Sequence, residues 1–152
     1  MKFTHGTRRR AAEYERDWAK RWQDDQTFEK SVQQRPVDNA WVFYDGPPFL
    51  TGTPHHGHLL VSTVKDTMGR FHTMKGQRVE RRWGWDCHGL PAEVYVEKTL
   101  GISHKKEIGT KISVSDYVKE CRAAMVRTGT EWEDTIERIG RWVEFKGAYK
   151  TM

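Results

Sequence analysis

Apolar residues recur at helical spacing in three long stretches of the chain and gather into short runs between them. Over residues 8–30, Ala11, Tyr14, Trp18 and Trp22 fall on one side of a helical wheel with charges between them, which predicts an amphipathic helix whose aromatic residues pack inward. Its Arg8-Arg9-Arg10 entry is a solvated helix start, with RNA contact as the competing reading. Residues 31–40 are polar, contain Pro36 and suit a connection. Trp41-Val42-Phe43-Tyr44 reads as a short buried strand. It is stopped by Asp45-Gly46-Pro47-Pro48, because proline has no N–H for a ladder and glycine frees the backbone. Thr51-Gly52-Thr53-Pro54 is a second breaker. A helix is predicted from about His55, with Leu60, Val64, Met68, Phe71 and Met74 as its apolar face and Gly76 as its stop.

Gln77 to Trp83 can form a second strand, which the loop Gly84-Trp85-Asp86-Cys87-His88-Gly89 leaves. A short helix from about Pro91 to Leu100 and a Gly- and Lys-rich loop over 101–112 follow. Ser113, three residues before Asp116, resembles a capping box and opens a long helix lined by Val118, Cys121, Met125, Trp132 and Ile136. Gly140 ends it. Residues Arg141 to Met152 carry Trp142, Val143, Phe145 and Tyr149 with no polar tail, so the chain reads as cut there. There is no internal repeat and no low-complexity tract.

Strand, turn, helix and strand in that order make a βαβ unit, so the fold class is α/β. A crossover of about 30 residues predicts parallel strands and right-handed passage. The 152 residues suit one domain. No apolar run approaches the roughly 18–20 residues of a bilayer span, which excludes a membrane protein of that kind. No charged-then-apolar leader opens the chain. Cys87 and Cys121 form neither a Cys-x-x-Cys pair nor a disulfide framework, so a reducing cytoplasm is expected. Eighteen aromatic residues (seven Trp, six Phe, five Tyr) argue against disorder. The net charge of +5 serves solubility and is compatible with an anionic partner. Aliphatic residues are sparse for this length, which implies packing against something else.

Parallel strands end at one sheet edge, and neighbours lie about 4.8 Å apart. Asp45-Gly46-Pro47 and Gly84-Trp85-Asp86 therefore emerge side by side if the two strands are neighbours, in the crevice where open α/β sheets bind ligands. The helix from His55 points its free N–H groups there, a ready anion site. Gly57 lets a ligand approach the backbone. His55 and His58, three apart, share a face and can donate hydrogen bonds to a phosphate. No Gly-Lys-Ser/Thr stretch of a Walker loop occurs. Zinc held by these histidines with Cys87 and His88 is the competing reading, and scattered unconnected histidines a third. A helix start favours an anion over a cation, so no metal site is assigned. Asp86 can pair with a substrate ammonium; capping its own loop is the alternative.

These residues carry a resemblance. Gly46-Pro47-Pro48-Phe49 and Thr51-Gly52-Thr53-Pro54-His55-His56-Gly57-His58 resemble the first signature of the class I aminoacyl-tRNA synthetases. Trp83-Gly84-Trp85-Asp86-Cys87-His88-Gly89-Leu90-Pro91, Arg141-Trp142-Val143-Glu144-Phe145 and Tyr149-Lys150-Thr151-Met152 are similar to their isoleucine-specific branch. The leucine and valine branches share less of this. His56 departs from the apolar or aromatic residue usual at the second signature position.

The resemblance implies the first half of a Rossmann-like nucleotide-binding fold with a parallel sheet. Residues 1–40 would be an N-terminal helical extension and 41–152 the catalytic part, truncated before an editing insertion. It implies that His55 and His58 are catalytic and, with Gly57, bind ATP, and that Gly46, Pro47 and Asp86 bind the amino acid. The reaction implied is isoleucine–tRNA ligation in protein synthesis. Isoleucine is adenylated by ATP with Mg²⁺ and passed to the 3′ end of tRNA(Ile), with the rest of the same polypeptide as a partner. A Lys-Met-Ser-Lys-Ser loop is absent, so half a site is expected, with marginal stability and little activity on its own. Another class I synthetase for leucine or valine, a small-molecule nucleotidyltransferase of related fold and a non-catalytic RNA-binding module are the competing functions.

Overall fold

Two parallel strands organise the computed structural model, which describes residues 9–49, 52–127 and 130–151. Arg8, Thr51 and Met152 of the motifs above lie outside the described residues. Strand β1 (Arg82–Trp85) pairs with β2 (Glu144–Lys150), Arg82 opposite Glu144 and Trp85 opposite Lys150. The register is irregular between Arg82 and Gly84, and β2 contains Gly147 at φ 77°, a bulge conformation that suits glycine. On the other flank of β1 the chain from Ala40 to Phe49 also runs parallel. It touches only through single bridges, Ala40 with Arg78 and Phe49 with Asp86. The α/β class with a parallel sheet and an N-terminal helix is therefore as expected, while its ladders differ.

Trp41–Tyr44 is not a regular buried strand. Val42 and Tyr44 are 68% and 92% exposed. Gly46-Pro47-Pro48 withholds the N–H donors a continuous ladder needs, so pairing survives only at the two ends. Trp41 stacks on His72 at 3.9 Å instead. The second strand begins at Arg82 rather than Gln77, and its regular partner is the C-terminal segment, where the sequence pattern predicts no strand.

The single N-terminal helix is two. Helix α1 (Ala11–Asp24) stops, Gln26 takes a left-handed φ of 51°, and α2 (Thr27–Gln33) continues into the stretch expected to be a connection. The break lets aromatics from both helices reach Trp142, whose ring centroid lies 5.5 Å from Trp22 and 6.4 Å from Phe28. The Arg70 guanidinium sits 3.7 Å from the Trp142 centroid and 5.0 Å from that of Trp22. Arg9 lies beside Glu13, as a solvated helix entry would.

Helix α3 (His56–Met74) turns its small residues inward: Ser62, Gly69 and Thr73 are buried. Arg81 dictates this face. Its guanidinium donates to the Thr73 hydroxyl at 2.6 Å, and a Cβ on Gly69 would stand 2.4 Å from its Nε. Burial, reinforced by Arg70, Arg35 and Arg141 and opposed by Asp66, lowers the Arg81 pKa to about 10, which leaves it charged at neutral pH. The apolar stripe predicted on this helix faces outward, with Leu60 68% and Met74 78% exposed.

Helix α4 (Leu90–Leu100) follows β1. The long helix comes as α5 (Val114–Arg127) and α6 (Thr130–Arg138). Ser113 caps α5 as predicted, its Oγ accepting the Asp116 N–H at 3.0 Å. Trp83, Trp85, Cys87, Ala92, Met125, Trp132 and Ile136 form the main core, and Val96, Ile102 and Tyr117 a second one between α4 and α5. Both cysteines are free. No described helix is long and apolar enough to cross a membrane.

Candidate active site

The tip of α3 is capped by histidines rather than by the usual Ser, Thr or Asp. The His55 side chain accepts the His58 backbone N–H, and His58 Nδ1 accepts the His55 N–H at 3.2 Å. The two imidazoles stack with centroids 3.7 Å apart. This reciprocal box fixes chemistry as well as geometry. A nitrogen that accepts a hydrogen bond carries no proton, so His58 is neutral here and its remaining donor is Nε2–H. Partial burial, with the neighbouring His55 as a smaller cause, lowers the His58 pKa in the same direction.

A pH dependence follows. His58 binds fewer protons in the folded chain than in the unfolded one between its lowered midpoint and the ordinary value of 6.5, so stability rises with pH across that window and is lost as pH falls through it. A histidine Cε1–H NMR titration should place the His58 midpoint below 6.5, and thermal melts should fall between pH 7 and pH 5. A midpoint at or above 6.5 contradicts the capping assignment.

His58 lines a cavity of about 270 Å³ together with Gly46, Pro47, Phe49, Trp83 and Trp132. The His58 and Trp132 ring centroids are 4.7 Å apart. His55 and Gly57 stand at the helix tip, outside that lining. Gly57 has a local reason to be glycine, since a Cβ there would lie 3.1 Å from the His55 ring.

Asp86 is also outside the lining, but the backbone brings it to the same rim. Its N–H donates to the Pro48 carbonyl at 2.9 Å, and it bridges Phe49, which does line the cavity. Its Oδ1 accepts the Thr151 hydroxyl at 3.1 Å, while the Thr151 oxygen accepts the Cys87 N–H at 2.9 Å. That relay orients the carboxylate, and its Oδ2 makes no hydrogen bond among the described residues. Of the predicted residues, Gly46, Pro47 and His58 share the cavity, and Asp86 is joined to its wall through Pro48 and Phe49.

Among the described residues no group of three or more His, Cys, Asp or Glu is arranged to hold a metal ion. His58 Nδ1 is already engaged, Cys87 is buried with its thiol pKa raised by burial, and His88 is exposed.

Several wall residues are given no role by the sequence. Asp45, Lys65 and Arg141 line the cavity, two cations against one carboxylate, so its wall carries a surplus positive charge that suits an anionic group. Asp45 shares its two oxygens between them. The Arg141 guanidinium also donates to the Ser62 hydroxyl at 3.2 Å and lies 5.1 Å from the Trp83 ring centroid. Lys65 is the partial exception: His58, Ser62 and Lys65 follow at four and three residues, one face of a helix. Arg141 belongs to a motif of the resemblance, but its partner Asp45 lies 96 positions away and cannot be read from spacing.

Comparison with known proteins places the chain in a family. The family model of class I tRNA synthetases (I, L, M and V) matches residues 17–152. The isoleucine–tRNA ligase of Rickettsia felis is 48% identical over 141 residues, 93% of this chain and 13% of that protein. That of Wolbachia pipientis is 50% identical over 138 residues, covering 91% and 12%. The cytoplasmic isoleucine–tRNA ligase of Caenorhabditis elegans is 50% identical over 134 residues, covering 88% and 12%. This chain thus spans about one eighth of the length of these relatives. The crystal structure of a LeuRS–tRNA–LeuAMS ternary complex from Agrobacterium radiobacter aligns with a TM-score of 0.59 at 20% identity, over 88% of this chain and 14% of that one, a likeness of fold. With residues 17–152 matched by the family model, the chain belongs to the class I tRNA synthetases of the isoleucine, leucine, methionine and valine group.

Proposed function

We propose that this chain supplies the first half of the nucleotide-binding domain of an isoleucine–tRNA ligase acting in the cytoplasm. Residues 1–40 are its helical extension and 41–152 its catalytic part. The observation that carries the reading is the cavity His58 shares with Gly46 and Pro47, with Asp86 bridged to its Phe49 wall. The relatives named isoleucine–tRNA ligase favour isoleucine over leucine or valine.

In this reading the ATP phosphates lie against His55 and His58 and the adenine over Gly57. Gly46 and Pro47 flank the isoleucine, and Asp86 takes its ammonium group. A carboxylate oxygen of isoleucine attacks the α-phosphorus, the bond to the β-phosphate oxygen breaks, and pyrophosphate leaves with the Mg²⁺ that entered with ATP. A ribose hydroxyl of the 3′-terminal adenosine of tRNA(Ile) then attacks the acyl carbon, its proton is lost, and AMP departs. No side-chain nucleophile is needed. The residues act by positioning and by donors already aimed where charge develops. Neutral His58 offers Nε2–H without the cost of moving a charge into the site. The remaining polypeptide supplies the other half.

Isothermal titration of the full-length protein with isoleucine tests the site. Asp86→Ala should weaken binding about 10- to 100-fold, the worth of a hydrogen bond to a charged group. Unchanged affinity removes Asp86 from this role. Pyrophosphate exchange driven by leucine or valine in preference to isoleucine would reassign the substrate.

A further inference from the structure

The turn that meets the amino acid in this reading has almost no backbone ladder to hold it. Between the bridge at Ala40 and the bond from Asp86 to the Pro48 carbonyl, Gly46-Pro47-Pro48 offers few donors. Side chains take over. Lys65 from α3 donates to the Gly46 carbonyl at 3.0 Å. The Tyr149 hydroxyl from β2 donates to the Asp45 carbonyl at 3.1 Å. To reach it the Tyr149 ring crosses β1 at Gly84, where a Cβ would stand 2.2 Å from the ring. The Asp45 carboxylate is gripped by Arg141 and Lys65, with the Asp45 and Arg141 side chains only 9% and 4% exposed. Arg141 in turn donates to Ser62, one turn beyond His58 on α3.

We propose that Asp45, Lys65, Arg141 and Tyr149 are positioning residues for amino-acid activation, holding Gly46 and Pro47 at a set distance from the histidine tip. The proposal rests on the functional reading above. A buried ion pair is a poor source of stability, because desolvation offsets much of the attraction. It is a good source of geometry, because two charged groups with several hydrogen bonds admit one arrangement. The pair also ties the segment 141–151 to the substrate turn, so that β2 senses the position of that turn directly.

The test uses isoleucine-dependent ATP–pyrophosphate exchange in the full-length protein carrying Arg141→Lys, Lys65→Gln or Tyr149→Phe. Lysine cannot reach Asp45 and Ser62 together as the guanidinium does. The KM for isoleucine should rise about tenfold or more while the KM for ATP stays within about twofold, since the loop shifts and the helix tip does not. Should Arg141→Lys fail to fold, the two more exposed positions carry the test. An unchanged KM for isoleucine, or an equal rise in both KM values with a lowered melting temperature, overturns the positioning role. A wild-type protein without isoleucine-dependent exchange overturns the functional reading and this proposal with it.

Discussion

His58→Ala is expected to slow isoleucine-dependent pyrophosphate exchange about 10²- to 10³-fold, the usual cost of removing one preorganised donor from a developing negative charge. The expectation comes from the capping geometry. With Nδ1 accepting the His55 N–H, the ring cannot turn its donor away without breaking the cap, so Nε2–H is held in one direction. Trp132 limits the ring on another side, at 4.7 Å between centroids. The alanine variant loses the donor and also leaves the His55 N–H without its acceptor. His58→Asn separates these effects, because an amide can keep the cap while offering a differently placed donor. The asparagine variant should therefore regain helix stability while its exchange rate stays low. An exchange rate for the alanine variant within about twofold of wild type would remove His58 from the chemistry.

Trp132→Ala should be the most damaging change in the core, at about 3–5 kcal/mol of stability. The side chain is 2% exposed and packs against Trp83 and Trp85 with centroids 6.0 and 6.2 Å away. Its Nε1 donates to the Gly52 carbonyl at 3.0 Å, so it also pins the breaker before α3. Trp132→Phe keeps most of the ring volume and loses only that bond, and should cost about 1–2 kcal/mol. Denaturant unfolding followed by far-UV circular dichroism reads both variants. A loss below about 1 kcal/mol for Trp132→Ala would show that the cluster closes over the gap and that the cavity wall does not depend on this ring.

The positions legible in advance are those whose reasons are local. The start of α3 at the histidines, the Ser113 cap and the breaker at Gly46-Pro47-Pro48 each depend on residues within four positions of one another. Parallel passage through a helix crossover follows from the length of the connection. His58, Gly46 and Pro47 share a cavity because the segment 40–49 runs parallel beside β1, bridged to it only at its ends, and the turn that follows it leads straight into the start of α3.

What escapes a reading of the chain is non-local. The spacing of Leu60, Val64, Met68, Phe71 and Met74 correctly marks a stripe on α3, but spacing does not say which way a helix faces. A buried Arg81 and a buried Arg141 claim the side carrying Ser62, Gly69 and Thr73, because buried guanidinium groups must be hydrogen-bonded and need small neighbours. The strand β2 is hidden because its alternation is weak and its partner lies some sixty residues earlier. The break at Gln26 carries no local signal, and across it Trp22 and Phe28 both reach Trp142.

The start of α3, the Gly46-Pro47-Pro48 breaker and the α5 cap thus follow from the residues alone, since capping and turn formation act over short separations. How those elements are held was settled by packing: the Asp45–Arg141 pair, the Thr151 relay to Asp86 and the outward apolar face of α3. Those depend on which distant groups meet once the chain is folded, and burial obliges each charged or polar group to find its partner wherever the fold has brought one.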